Sequence, residues 1–140
     1  MPFEYISSSE HDTYNFGEKI GKGLKAGDLI GLEGNLGAGK TILLKGISKG
    51  LEIQEHESIG SPTFKIVNTY NGNITLYHID LYRLATQTDI ISTGLFDLFN
   101  DDAIIVIEWA DRLRDFEFEF TQYIKLEYID ENKRKISVIK

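Results

Sequence analysis

A chain of 140 residues, 41% of them hydrophobic and 26% charged, has the composition of one globular domain and is long enough to build a core without disulfide or metal staples. It contains no cysteine, which excludes disulfides. Its net charge of −7 argues against autonomous binding of DNA or RNA, where phosphate contacts need a basic surface. Apolar runs reach only about five residues, far below the roughly 20 that span a bilayer. The N-terminal "MPFEYISSSEH" has neither the basic nor the apolar region of a secretory leader, so a soluble cytoplasmic protein with no membrane partner is expected.

The predicted elements alternate between strand and helix. "FEYIS", Phe3 to Ser7, alternates as a strand does. Ser9 followed three residues later by Asp12 is a helix start related to the capping box. Tyr14, Phe16, Ile20 and Leu24 then extend the apolar face of a helix over about Glu10 to Leu24. "KAGD" is a turn, and "LIGLE", Leu29 to Glu33, is a short buried strand running into a glycine loop. "KTILLKGISKGL" reads as a helix ending near Gly50. "TFKIVNTY" and "ITLYHID" are strands joined by Asn71–Asn73, where Asn-Gly is a strong hairpin signal. "AIIVIEW", Ala103 to Trp109, fits a central strand buried on both faces. The C-terminus, "YIKLEYI" and "RKISVIK" around "DENK", reads as a second hairpin, and its dense basic run Lys133–Lys135 as a solvated strand end. These elements predict an α/β three-layer P-loop NTPase fold, a single domain over residues 1–140, with a mostly parallel central sheet and antiparallel hairpins at its flanks.

The glycine loop carries the most chemistry. Gly34, Asn35, Leu36, Gly37, Ala38, Gly39, Lys40 and Thr41 match G-x-x-x-x-G-K-[ST]. Glycines let the backbone turn its N–H groups onto phosphate, and the following helix brings its positive dipole end to the same place. Lys40 would reach the β- and γ-phosphates, and Thr41 would place a hydroxyl on Mg²⁺. Background composition gives such a match in roughly half a percent of chains this long. The strand before it and the helix after it make a chance turn less probable still.

Such a site needs a further carboxylate at the C-terminal edge of a neighbouring strand. Glu108, after "IIVI", has the Walker B pattern of an apolar strand ending in an acid, and Asp80 ends "ITLYHI". In "SPTF", Thr63 lies on a loop after the helix that follows the glycine loop, where P-loop switches keep a γ-phosphate sensor; the plainer reading is a strand-start turn. His78 shares a strand face with Asp80 and reads as a hydrogen-bonded structural histidine ahead of a metal ligand. Arg83 reads as a salt bridge ahead of a phosphate contact, and Trp109 either fills core or stacks on a base. No N-K-x-D motif occurs, so guanine selection by that route is unsupported and adenine is the default.

In order, "LEGNLGAGKT", "SPTF", "YHIDLYRL" and "IEWADRL" resemble the TsaE family, formerly YjeE, from about Thr13 to Leu113. The resemblance implies a small cytoplasmic P-loop ATPase needed for threonylcarbamoyladenosine formation beside the anticodon of tRNA. It implies ATP and Mg²⁺ as cofactors and the proteins TsaB and TsaD as partners, with TsaD performing the transfer and tRNA held only through the complex. Residue by residue, it gives Lys40 and Thr41 the phosphate and Mg²⁺ positions and Thr63 the switch-like loop. Asp80 becomes the acid of "H-x-D-x-Y-R", Glu108 the Walker B-like acid and metal partner, and Trp109 the tryptophan that follows it. Ile42 and Asn35 depart from the common Thr and Asp without removing a required group. The acidic charge fits a division of labour in which a partner holds tRNA. Two rival functions are a small-molecule kinase and a nucleotide-gated binding module without essential hydrolysis. The four arginines and the absence of a basic lid segment weigh against the first.

Overall fold

The computed structural model describes residues 2–54, 59, 65–99 and 102–140. Seven strands form one sheet in the order β1-β7-β6-β2-β5-β4-β3. They are β1 (Phe3–Ser7), β2 (Leu29–Glu33), β3 (Val67–Tyr70), β4 (Thr75–Asp80), β5 (Ala103–Glu108), β6 (Gln122–Tyr128) and β7 (Arg134–Val138). The four central strands, β6, β2, β5 and β4, run parallel, while β3 and β7 add antiparallel hairpins and β1 closes the edge against β7. This is the predicted P-loop NTPase plan. Every residue of β5 is buried, which explains its unbroken apolar run: a central parallel strand meets core on both faces.

One face carries helices α1 (Glu10–Lys22) and α2 (Lys40–Gly50) over Ile30, Leu32, Leu76, Ile104 and Val106. Helix α1 starts as its sequence requires. Ser9 accepts from the Asp12 N–H at 2.9 Å, and Asp12 accepts from the Ser8 N–H at 2.9 Å and from the Tyr5 hydroxyl at 2.5 Å. The helix stops at Lys22, two residues before the predicted Leu24, because Gly23 closes its C-terminus. The helices cross at glycines spaced four apart on each, Gly17 and Gly21 against Gly46 and Gly50. A Cβ at Gly46 would stand inside the Tyr14 carbonyl, and one at Gly21 inside that of Ile47. Only bare backbone permits so close an approach.

The opposite face is covered more thinly. A short helix α3 (Gln87–Ser92), 3₁₀ turns at Leu95–Leu98 and Ala110–Leu113 and an irregular segment pack over Ile79, Ile105 and Ile107. In "FEFEF" the phenylalanines alternate inward. Phe118 meets Phe120 edge-on at 5.0 Å and Phe120 meets Tyr123 at 5.2 Å, so an aromatic chain does the covering that a helix does on the other side. Of the expected strand "TFKIVNTY", Val67–Tyr70 forms β3; Thr63 and the rest of "SPTF" lie outside the described residues.

The glycine crossing gives a direct prediction. Gly46→Ala should cost about 3 kcal/mol by overpacking and lower the melting temperature by roughly 10 °C in a calorimetric scan. An unchanged melting temperature would show that the two helices stand further apart than described.

Candidate functional site

The sheet register builds the site. Glu108 pairs with Asp80 across β4–β5 and with Leu32 across β2–β5, so the C-terminal ends of three parallel strands lie level. Ligands of open α/β sheets bind at that edge. The glycine loop leaves β2 there and turns back into α2 through two left-handed glycines, Gly37 at φ +82° and Gly39 at φ +101°.

The start of α2 differs from the other helix starts. Helix α1 has a side-chain cap and acids Glu10 and Asp12 in its first turn, and α3 has the Thr86 cap and Asp89. Helix α2 has Gly39 as N-cap, no side-chain cap bond and no first-turn acid. Its first N–H groups and positive dipole end are therefore left for an anion from outside.

Lys40 is only 6% exposed. Its ammonium turns back on its own loop, donating to the carbonyls of Gly34 and of Asn35, the latter at 3.2 Å. It also lies 4.2 Å from the centroid of the Trp109 ring. Burial pushes the Lys40 ammonium below its ordinary pKa, and the carboxylates of Glu108, Asp80 and Asp111 pull the other way. Trp109 reaches this place because its backbone flips to φ 60°, ψ 40° directly after β5. That left-handed turn costs a non-glycine residue on the order of 1–3 kcal/mol and lays the indole beside the loop instead of across the sheet.

Glu108 is 7% exposed and His78 4%. His78 Nε2 donates to Glu108 Oε2 at 2.6 Å, so the histidine is hydrogen-bonded as the sequence suggests, but to Glu108 and not to its strand-mate Asp80. Asp80 is half-buried, and its Oδ1 accepts the Tyr82 N–H at 3.0 Å.

A cleft of about 800 Å³ brings these groups together. Its walls include Asn35 to Thr41 of the loop, with Leu36, Gly37, Ala38, Gly39 and Lys40 among them, and also His78, Asp80, Arg83, Glu108 and Trp109. Gly34 belongs to a smaller groove on the far side of the loop. Thr63 falls outside the described residues. Two wall elements and one tie outside the wall escaped the sequence reading. Arg134, read as part of a solvated basic run, donates to the Gly37 carbonyl at 3.1 Å; in the same run Lys135 pairs with Glu4 at 2.7 Å. The N-terminus of α1 contributes Ser9, Glu10 and Thr13. Arg112 Nη1 donates to the carbonyls of Leu81, Tyr82 and Leu84 at 3.0, 2.6 and 2.5 Å, tying down the chain that follows Asp80. No local pattern announces a contact between residues about thirty apart; only the "R" three places after Trp109 was there to see.

The residues present fit a nucleotide triphosphate with Mg²⁺. An uncapped helix start, a buried lysine and left-handed glycines suit phosphate, and the cleft is large enough for a nucleoside. Thr41, Asp80 and Glu108 put hard oxygen donors on the same walls. Among the described residues no three His, Cys, Asp or Glu side chains gather as a metal cage.

Comparison with known proteins agrees with this geometry. The family model described as threonylcarbamoyl adenosine biosynthesis protein TsaE matches residues 7–136. A Treponema pallidum protein named tRNA threonylcarbamoyladenosine biosynthesis protein TsaE is 39% identical over 95% of this chain and 97% of its own. The Aquifex aeolicus protein of the same name is 36% identical over 96% and 94%. Among solved structures, the crystal structure of YdiB from Bacillus subtilis superposes with a TM-score of 0.79, at 27% identity, over 99% of this chain and 84% of that one. Over nearly its whole length, then, in motif order, fold and sequence alike, this chain belongs to the TsaE family.

Proposed function

We propose that this protein is a Mg²⁺-dependent ATPase that serves threonylcarbamoyladenosine formation on the tRNA adenosine next to the anticodon, acting in the cytoplasm on a TsaB–TsaD complex. The observation that carries this reading is the level register of Leu32, Glu108 and Asp80, which gathers two carboxylates and a buried loop lysine around one cleft. Membership of the TsaE family and the printed names of the relatives support the pathway.

In this reading ATP replaces the loop carbonyls as the partner of Lys40. The ammonium turns from Gly34 and Asn35 to the β- and γ-phosphates, and the first N–H groups of α2 bind the same phosphates. Thr41 and Glu108 hold Mg²⁺ directly or through water, and that cation, when bound, neutralises charge on the phosphate oxygens. Asp80 or Glu108 orients the attacking water. Thr63 senses the γ-phosphate, and Trp109 flanks the bound nucleotide. Hydrolysis by the isolated chain is slow, because a group from the partner interface completes the site. tRNA meets this acidic chain only through the complex.

The central test measures phosphate release with and without TsaB–TsaD. Stimulation is expected, and Lys40→Ala should cut it by about 10²-fold. Stimulation that survives Lys40→Ala would remove Lys40 from the phosphate site, and phosphate recovered on a small acceptor would make the protein a kinase. Glu108→Gln and Asp80→Asn separate the acids: the one that orients water loses about 10²-fold in hydrolysis while still binding ATP. Repeated rounds of modification by a variant that binds but does not hydrolyse ATP would favour the binding module. Trp109 is the sole tryptophan, so departure of Lys40 from its ring should change its emission on MgATP titration. An emission that ignores saturating MgATP would show that Lys40 stays where it is.

A further inference from the structure

We propose that His78 is a positioning residue for the acid at the end of β5: its Nε2–H pins Oε2 of Glu108 and leaves the other carboxylate oxygen as the one available to metal or water. This rests on the reading of Glu108 as an acid of a nucleotide site.

A carboxylate this deeply buried needs partners. Among the described residues Glu108 has one side-chain hydrogen bond, the 2.6 Å contact from His78. Neither Asp80 nor Lys40 supplies a second bond. Asp80, directly opposite in the register, is itself an acceptor, with its Oδ1 taking the Tyr82 N–H. Lys40 has its ammonium on the loop carbonyls. His78 lies opposite Val106, two places short of Glu108, and reaches it diagonally towards the ligand edge of the sheet. The bond therefore runs along the strand direction, and the glutamate cannot swing without breaking it.

The other ring nitrogen sharpens the point. His78 Nδ1 is buried and has no hydrogen-bond partner among the described residues. A histidine kept only to fill this space leaves a polar atom unsatisfied where leucine would leave none. The bond to Glu108 is what the imidazole supplies and leucine cannot. Side chains that orient metal-binding groups in this way set affinity without touching the metal.

The experiment follows Mn²⁺ binding by electron paramagnetic resonance in the complex with a non-hydrolysable ATP analogue, so no turnover is needed. His78→Leu should weaken Mn²⁺ by about 10–100-fold and weaken metal-free analogue binding far less. His78→Gln, whose amide reaches nearly where Nε2 lies, should recover most of the loss, and the shorter His78→Asn should not. In a Glu108→Gln background, His78→Leu should add nothing, because its effect passes through Glu108. Equal losses in the leucine and glutamine variants, or full additivity with Glu108→Gln, overturn the proposal. So does wild-type Mn²⁺ affinity in His78→Leu. Should the leucine variant fail to fold, the glutamine and asparagine pair decides by the same criterion. Failure of the unsubstituted protein to bind the analogue with metal overturns the nucleotide-site reading along with this one.

Discussion

Parallel pairing of β2, β5 and β4 places Leu32, Glu108 and Asp80 at one level of the sheet. The groups around the cleft depend on that register. A slip of one residue in β5 would exchange its two faces and send Glu108 into the aromatic layer. The register is guarded by burial, because all six residues of β5 are enclosed and a shift would break both cores together. The apolar interior thus holds two carboxylates at the rim, side by side.

The loop that meets these carboxylates is held by its own lysine. With Lys40 donating to Gly34 and Asn35 and lying over Trp109, the ligand-free loop has internal partners for a charge that burial disfavours. Trp109 also meets Tyr82, at 5.1 Å between ring centroids, and the Arg112 guanidinium, at 5.4 Å. The indole therefore stands between the loop after β2 and the segment after β4. A change in one of those segments reaches the other through a single ring.

Much of this was legible in the sequence because it is local. The strand–glycine loop–helix order is written in adjacent residues, as are the Asn-Gly hairpin and the apolar run of β5. The Ser9–Asp12 helix start is equally local; the same spacing in Thr86–Asp89 starts α3, a six-residue helix that the predicted elements do not include. What stayed hidden depends on which distant segments meet. Arg134 reads as surface charge until β7 is laid beside β6 and its side chain reaches the loop. His78 reads as a hydrogen-bonded histidine of unassigned partner until β5 is placed next to β4. The four interhelical glycines carry no sign of a close crossing until the helices that share them are brought together.

Those glycines also decide where the molecule can yield. Helix α2 begins at the glycine loop and α1 begins at another wall of the same cleft, with Ser9, Glu10 and Thr13. Backbone packed against backbone leaves no long side chains between the two helices to act as a lubricant. They behave as a single beam spanning the cleft. The walls the beam does not own include the segment after Asp80 and the β6–β7 turn with Glu131 and Asn132.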